Sequence, residues 1–197
     1  MEKTKLEKLY LSKKLSSKQI GRIYKCSEHK VNYWLEKFDI KKRTISEATY
    51  QRNNPKGDPF SFNTPKKLGD MFLFGLGLGL FWGEGTKRNL HAVRLCNSDP
   101  ALIKRFLYFL TKIYKIDKRK LKFQLQTYDD LDVDELILFW TKYLSVKSAQ
   151  FSKTTILKRR GDGTYANKMN YGVVLVHFNN VKLRNLICSQ IANIEDM

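Results

Sequence analysis

The sequence predicts an α+β protein: a small all-α module of helix-turn-helix layout, then an α/β domain with a mostly antiparallel sheet. Three observations lead there. Short amphipathic patterns separated by tight breaks fill residues 1–43. Helical and strictly alternating patterns mix over residues 65–197. Between them, residues 44–64 hold Asn53, Asn54, Pro55, Gly57 and Pro59 and lack an apolar period, so they read as a linker or extended arm.

Composition bounds the function. A chain of 197 residues with 42% hydrophobic side chains can bury one sizeable core plus an accessory module. Its net charge of +18 points to a polyanion, with double-stranded DNA first. Charge alone also fits a merely soluble basic surface or anionic lipid. Residues 1–60 carry 15 basic and 7 acidic side chains and the remainder carries 22 and 12, so both parts can touch phosphate. Cys26, Cys96 and Cys188 are odd in number and far apart, which excludes a disulfide framework and a zinc site. Cys26 and Cys188 read as small buried residues. The start MEKTKLEKLY has no signal-peptide pattern, so the expected location is cytoplasmic, in a prokaryotic or organellar interior, with no membrane partner.

In residues 1–43, Leu6, Leu9 and Tyr10 form the first apolar face. Ser16 or Ser17 caps a second helix burying Ile20, Ile23 and Tyr24. Ser27 caps a third, with Val31, Trp34, Leu35 and Phe38 inward. The short Lys25–Cys26 gap suits a helix-turn-helix, and the stretch resembles the resolvase or sigma-region type, whose third helix enters the major groove. Its outward residues Glu28, His29, Lys30, Asn32 and Tyr33 are then candidates for base edges. Lys41, Lys42 and Arg43 suit the phosphate backbone. A small helical protein-binding domain with a solvated basic face is the competing reading. His29 has no second ligand at helical spacing and is not read as a metal ligand.

The stretch MFLFGLGLGLFWGEGTKR, residues 71–88, places Gly75, Gly79 and Gly83 four apart, one bare stripe on a helix. Glycine in a helix costs about 1 kcal/mol against alanine, so the stripe implies close approach of another backbone. The Leu/Gly alternation also fits a strand. The run is too short for a membrane span, which needs about 20 residues. A dinucleotide loop would need a strand before it, whereas Thr64–Pro65 reads as an N-cap and first helical residue. Helix is the reading taken, ending on the single acid Glu84 with Lys87 and Arg88 beyond.

Downstream, residues 91–96 read as a strand, and Ser98 or Asp99 with Pro100 starts a helix. Residues 121–128 alternate, Leu121, Phe123 and Leu125 against Lys122, Gln124 and Gln126. Asp132 and Glu135 open a helix burying Leu136, Phe139, Trp140 and Leu144. Residues 151–160 and 171–180 flank Gly161-Asp162-Gly163 and read as a β-hairpin, followed by a last helix over 181–194. Lys122, Gln124 and Gln126 on one strand, and Lys153, Thr155, Lys158 and Arg160 around the other, suit a DNA groove or an ordinary solvated face equally.

Residues 77–85, GLGLFWGEG, resemble the LAGLIDADG motif of the homing endonuclease superfamily. Gly79, Leu80, Gly83, Glu84 and Gly85 match. Gly77, Leu78 and Trp82 depart, and the acid is Glu where Asp is commoner. The likeness extends over residues 70–197, with the region after the motif shortened to one strand and an added helix at 132–144. It implies a motif helix packed against that of a second copy through Gly75, Gly79 and Gly83, with each copy delivering one metal-binding acid, Glu84. It also implies a strand lysine near the scissile phosphate, Lys153 or Lys158.

Hydrolysis of a phosphodiester without a covalent intermediate uses a metal, here Mg2+ or Mn2+, and one acid per chain is too few to hold it. The single motif therefore predicts a homodimer and a roughly palindromic target. The acidic run Asp129, Asp130, Asp132, Asp134 and Glu135 is a rival metal site, better explained by the macrodipole of the helix it opens; Asp162 is read as a turn residue. The expected function is a metal-dependent, site-specific DNA endonuclease. The alternative is a DNA-binding regulator on the same fold without cleavage, resembling bacterial sporulation regulators. An RNA-binding splicing cofactor would leave the helix-turn-helix redundant.

Overall fold

A computed structural model describes residues 1–158 and 170–195. The chain divides into two compact units, Met1–Pro59 and Phe60–Met197.

The first unit is helical. Helix α1 (Lys3–Glu7) runs into a π-turn over Lys8–Ser12. Helices α2 (Ser17–Ile23) and α3 (Glu28–Lys37) follow. Ser16 and Gln19 close a capping box on α2, and Ser27 accepts the Lys30 amide at the start of α3. Gly21 lets the two helices meet, because a Cβ there would stand 2.7 Å from the Cys26 carbonyl oxygen. Leu6, Leu9, Tyr10, Ile20, Val31, Leu35 and Ile40 form the core. Trp34 and Phe38 pack beside it, half-buried, while Ile23 is exposed rather than inward.

The arm expected over residues 44–64 is partly helical. Helix α4 spans Ile45–Asn53, opened by a Thr44–Glu47 capping box. It buries no residue, which is why no apolar period betrays it. Arg43 ties it down instead. The Arg43 guanidinium donates to the Lys14 carbonyl at 3.1 Å, to the Leu15 carbonyl and to the Gln51 amide oxygen, and it lies 4.0 Å over the Tyr10 ring. Arg43→Ala is expected to destabilise this unit by about 2 kcal/mol, since several partners lose a charged donor. Thermal unfolding checks this, with Arg43→Lys failing to rescue because it lacks the planar fork.

The second unit is α+β. Its elements are α5 (Leu68–Glu84), β1 (Val93–Asn97), α6 (Pro100–Ile113), β2 (Lys122–Tyr128), α7 (Val133–Leu144), β3 (Thr155–Leu157), β4 (Val173–Phe178) and α8 (Val181–Glu195). Helix α5 starts later than Thr64–Pro65 suggests, with Lys67 at its N-cap and no side-chain cap. Asp99 caps α6 and Asp132 caps α7, each accepting two backbone amides.

The sheet order is β1-β4-β2-β3, with antiparallel pairs except β2 and β3. The expected hairpin is therefore absent: β4 lies between β1 and β2, and β3 is an edge strand parallel to β2. Val174, Val176 and Phe178 suit that central place, whereas Ile156 and Leu157 of β3 are exposed. The Gly161-Asp162-Gly163 turn lies outside the described residues.

Alternation along the strands separates two faces. Val93, Leu95, Phe123, Leu125, Val174 and Val176 share one core with Phe81 of α5, Phe106 and Phe109 of α6, Trp140 of α7 and Leu183 and Ile187 of α8. Helices α5 to α8 thus cover the inner face, and the outer face carries the alternate strand residues, half-buried to exposed. Gly77 sits directly beneath Phe109, where a Cβ would come within 2.1 Å of the ring.

Candidate nucleic-acid interface

The outer strand face is built by register. Arg94 of β1 pairs with His177 of β4, and His177 pairs with Lys122 of β2, so three basic side chains lie in one row. The next row is Cys96, Leu175 and Gln124, and the next pairs Val173 with Gln126 and Gln126 with Thr155. No carboxylate stands in any of them. Burial foremost, then the charges of Arg94 and Lys122, push the His177 imidazole below its ordinary value. His177 Nδ1 and Arg94 Nε are buried without hydrogen-bond partners among the described residues. A row with Arg94 and Lys122 flanking His177 and no acid attracts anions.

The depressed His177 value sets a sign. The unfolded chain takes up this proton at higher pH than the folded chain does, so stability rises with pH through the window below the ordinary imidazole value of 6.5. A phosphate on the row reverses the preference and draws the proton in. Were this face to bind duplex DNA, its affinity is expected to rise by up to about tenfold from pH 7.5 to pH 5.5. Fluorescence anisotropy across that range checks it, with His177→Gln flattening the dependence.

The cationic row meets α5 at its end. Gly85 bridges Leu95 of β1, and the Thr86 amide donates to the Arg94 carbonyl at 2.9 Å. Gly85 is required there, since a Cβ would stand 2.3 Å from the Phe81 carbonyl oxygen. Glu84, just before this bridge, is exposed and makes no hydrogen bond or ion pair among the described residues. Both its oxygens are available to a hard cation. No group of three or more His, Cys, Asp or Glu that could hold a metal occurs among the described residues.

Along α5, added Cβ atoms on Gly75, Gly79 and Gly83 would meet nothing within 4 Å. The stripe is open in the single chain. Leu68, Met71, Phe72, Leu76 and Trp82 are exposed beside it, making an apolar helix face.

The other expected site residues are sorted by their surroundings. Glu28, His29, Lys30 and Tyr33 are exposed on α3, and Asn32 is half-buried. Lys41 is exposed; Lys42 pairs with Glu36 at 2.9 Å, holding that carboxyl below its usual range. The Arg43 guanidinium is consumed inside its own unit and is not the free backbone contact expected of it. Lys87 turns back to donate to the Trp82 carbonyl at 2.5 Å, serving the end of α5, where no basic residue lies in the last turn. Arg88 is exposed. Lys122 and Gln126 are exposed on the outer face, while Gln124 donates to the Thr155 hydroxyl at 3.1 Å. Arg160 lies outside the described residues.

Lys153 and Lys158 are exposed on either side of β3. That is the opposite sheet edge from β1, where Glu84 ends its helix. Three strand spacings intervene, about 14 Å. One chain therefore does not bring these lysines to its own Glu84; the basic side chains on that side of the sheet are Arg94 and His177, with Lys87 at the end of α5. Both escaped the sequence reading, because their meaning comes from the β1–β4–β2 pairing and no local pattern encodes it. In the acidic run, Asp132 serves as the α7 cap.

Among the described residues, no helix is long and apolar enough to cross a membrane. The chain matches no protein-family model, no curated protein and no solved structure.

Proposed function

We propose that the chain is a sequence-specific DNA-binding protein that works as a homodimer through α5 and cuts its duplex as a metal-dependent endonuclease of the homing type. The observation that carries the reading is α5: an exposed face bare of side chains that ends in an unpaired carboxylate, next to an outer strand face without acids. The likeness of residues 77–85 to the LAGLIDADG motif supports it.

Close approach of two α5 backbones removes Phe72, Leu76 and their neighbours from water and duplicates everything around a two-fold axis. The low charge of the helix suits self-association, since within α5 only Asp70 and Glu84 are charged. Glu84 from each copy is the residue that would hold Mg2+ or Mn2+. One carboxylate with free oxygens fits half of such a site, and the second copy supplies the other half. The chemistry such an ion would supply, held by the two Glu84 carboxylates, is Lewis-acid activation of water and charge neutralisation at the leaving oxygen.

The remaining chemistry belongs to the chain's own residues. Arg94, His177 and Lys122 neutralise backbone phosphates. Glu28, His29, Lys30, Asn32 and Tyr33 of α3 present donors and acceptors to base edges. Lys153 and Lys158, at the far edge, serve the phosphate backbone there.

A second reading rests on one observation: Glu84 has neither expected lysine beside it in its own chain. It makes the protein a DNA-binding regulator on the same fold, without cleavage. Incubation with randomised duplexes, with Mg2+ or Mn2+ against EDTA, separates the two. Metal-dependent cuts at a defined sequence support the endonuclease; selective binding without cuts supports the regulator.

A further inference from the structure

A basic concavity lies in the helical layer, on the side of the sheet away from the Arg94–His177–Lys122 row. It opens between α6 and the end of α7 with a cavity volume of about 380 Å3. Lys104, Arg105 and Tyr108 of α6, Lys118 beyond its end, and Tyr143 of α7 line it, and no Asp or Glu does. Lys104 Nζ sits 4.7 Å from the Tyr143 ring centroid. Lys118 reaches across to donate to the Leu144 carbonyl, which fixes its ammonium at the cavity wall. Neither lysine has an ion-pair partner among the described residues. Burial first, and then the charge of Lys104, lower the Lys118 value, so the two ammonium groups oppose one another in the free protein.

Held cations that repel each other in a concave, acid-free site are relieved by a multiply charged anion. The volume is in the range of small-molecule clefts, about 300–1,000 Å3. Tyr108, about half exposed, adds a flat aromatic surface at the rim. We infer that this cleft binds a phosphorylated small molecule of the nucleotide type, with its phosphates on Lys104, Lys118 and Arg105 and its planar base against Tyr108. The site is separate from the DNA face and does not depend on the proposal made for it.

Calorimetric titration of the full chain with ATP tests this, beside adenosine, tripolyphosphate and a short DNA duplex. The expected result is one site for ATP, weakened at least about tenfold by Lys104→Gln with Lys118→Gln. A control pair removing the same charge elsewhere, the exposed Lys18→Gln with Lys56→Gln, is expected to change it by less than about twofold. Lys118→Gln keeps a donor for the Leu144 carbonyl, and Tyr108→Ala, at an exposed position, tests the base contact without touching a lysine. Equal weakening by both double variants, or no ATP binding, overturns the inference. Tripolyphosphate binding as tightly as ATP overturns its base-recognition half. Displacement of ATP by the duplex, sensitive to the same two lysines, assigns the cleft to nucleic acid and overturns the small-molecule reading.

Discussion

On the proposed function, Glu84→Gln is expected to abolish metal-dependent DNA cleavage and to leave DNA affinity within about twofold of wild type. The amide keeps the size and shape of the side chain but loses the negative charge that a hard cation needs. Glu84 is exposed and partnerless, so no structural bond is lost with it. Cleavage of a selected duplex in Mg2+, followed by anisotropy on the same duplex in EDTA, reads the two effects separately. A parallel fall in affinity would mean that Glu84 shapes the interface rather than holding a metal.

The second large effect comes from two glycines only two residues apart. Gly77→Leu is expected to destabilise the second unit by about 3 kcal/mol or more, because its first added carbon already meets the Phe109 ring. For a chain of this size that is a fall in Tm of about 10 °C. Gly79→Leu meets nothing within the chain and leaves the fold of the single copy intact. It is expected instead to convert a dimer into a monomer, as bulk appears on the bare face. Sedimentation velocity with thermal unfolding distinguishes the pair. A dimer unchanged by Gly79→Leu would place the contact elsewhere than α5.

This contrast marks where local pattern suffices and where it stops. The four-residue spacing of Gly75, Gly79 and Gly83 encodes a shared helix face, and that face is open. Spacing does not reveal that Gly77, on the other side, is the glycine the chain's own packing requires. Strand β2 was legible for a similar reason, since Phe123 and Leu125 alternate with Lys122, Gln124 and Gln126. The caps Ser27 and Asp132 were legible from residue type and position, while for α2 and α6 the sequence left a neighbouring pair, Ser16 or Ser17 and Ser98 or Asp99, and the structure takes Ser16 and Asp99.

What escaped depends on partners distant in sequence. Nothing near Val173 states that β4 inserts between β1 and β2 and displaces β3 to the edge. The Arg94–His177–Lys122 row exists only once that order is known. Helix α4 escaped because a capping box and Arg43 hold it, with no apolar face to give a period. The lysines around β3 were read as neighbours of the scissile phosphate, and the sheet order that puts them at the edge away from β1 has no local signal.

The most direct test of the central claim is selection from a randomised palindromic duplex library by the wild-type chain, with bound and cut fractions sequenced in Mg2+ and in EDTA. The account predicts one enriched, roughly palindromic sequence, salt-sensitive in its binding and cut at a fixed position only when the metal is present. Enrichment without cuts would contradict the endonuclease and favour the regulator. Binding with no enriched sequence would contradict both, leaving the charge of +18 as non-specific attraction to polyanions.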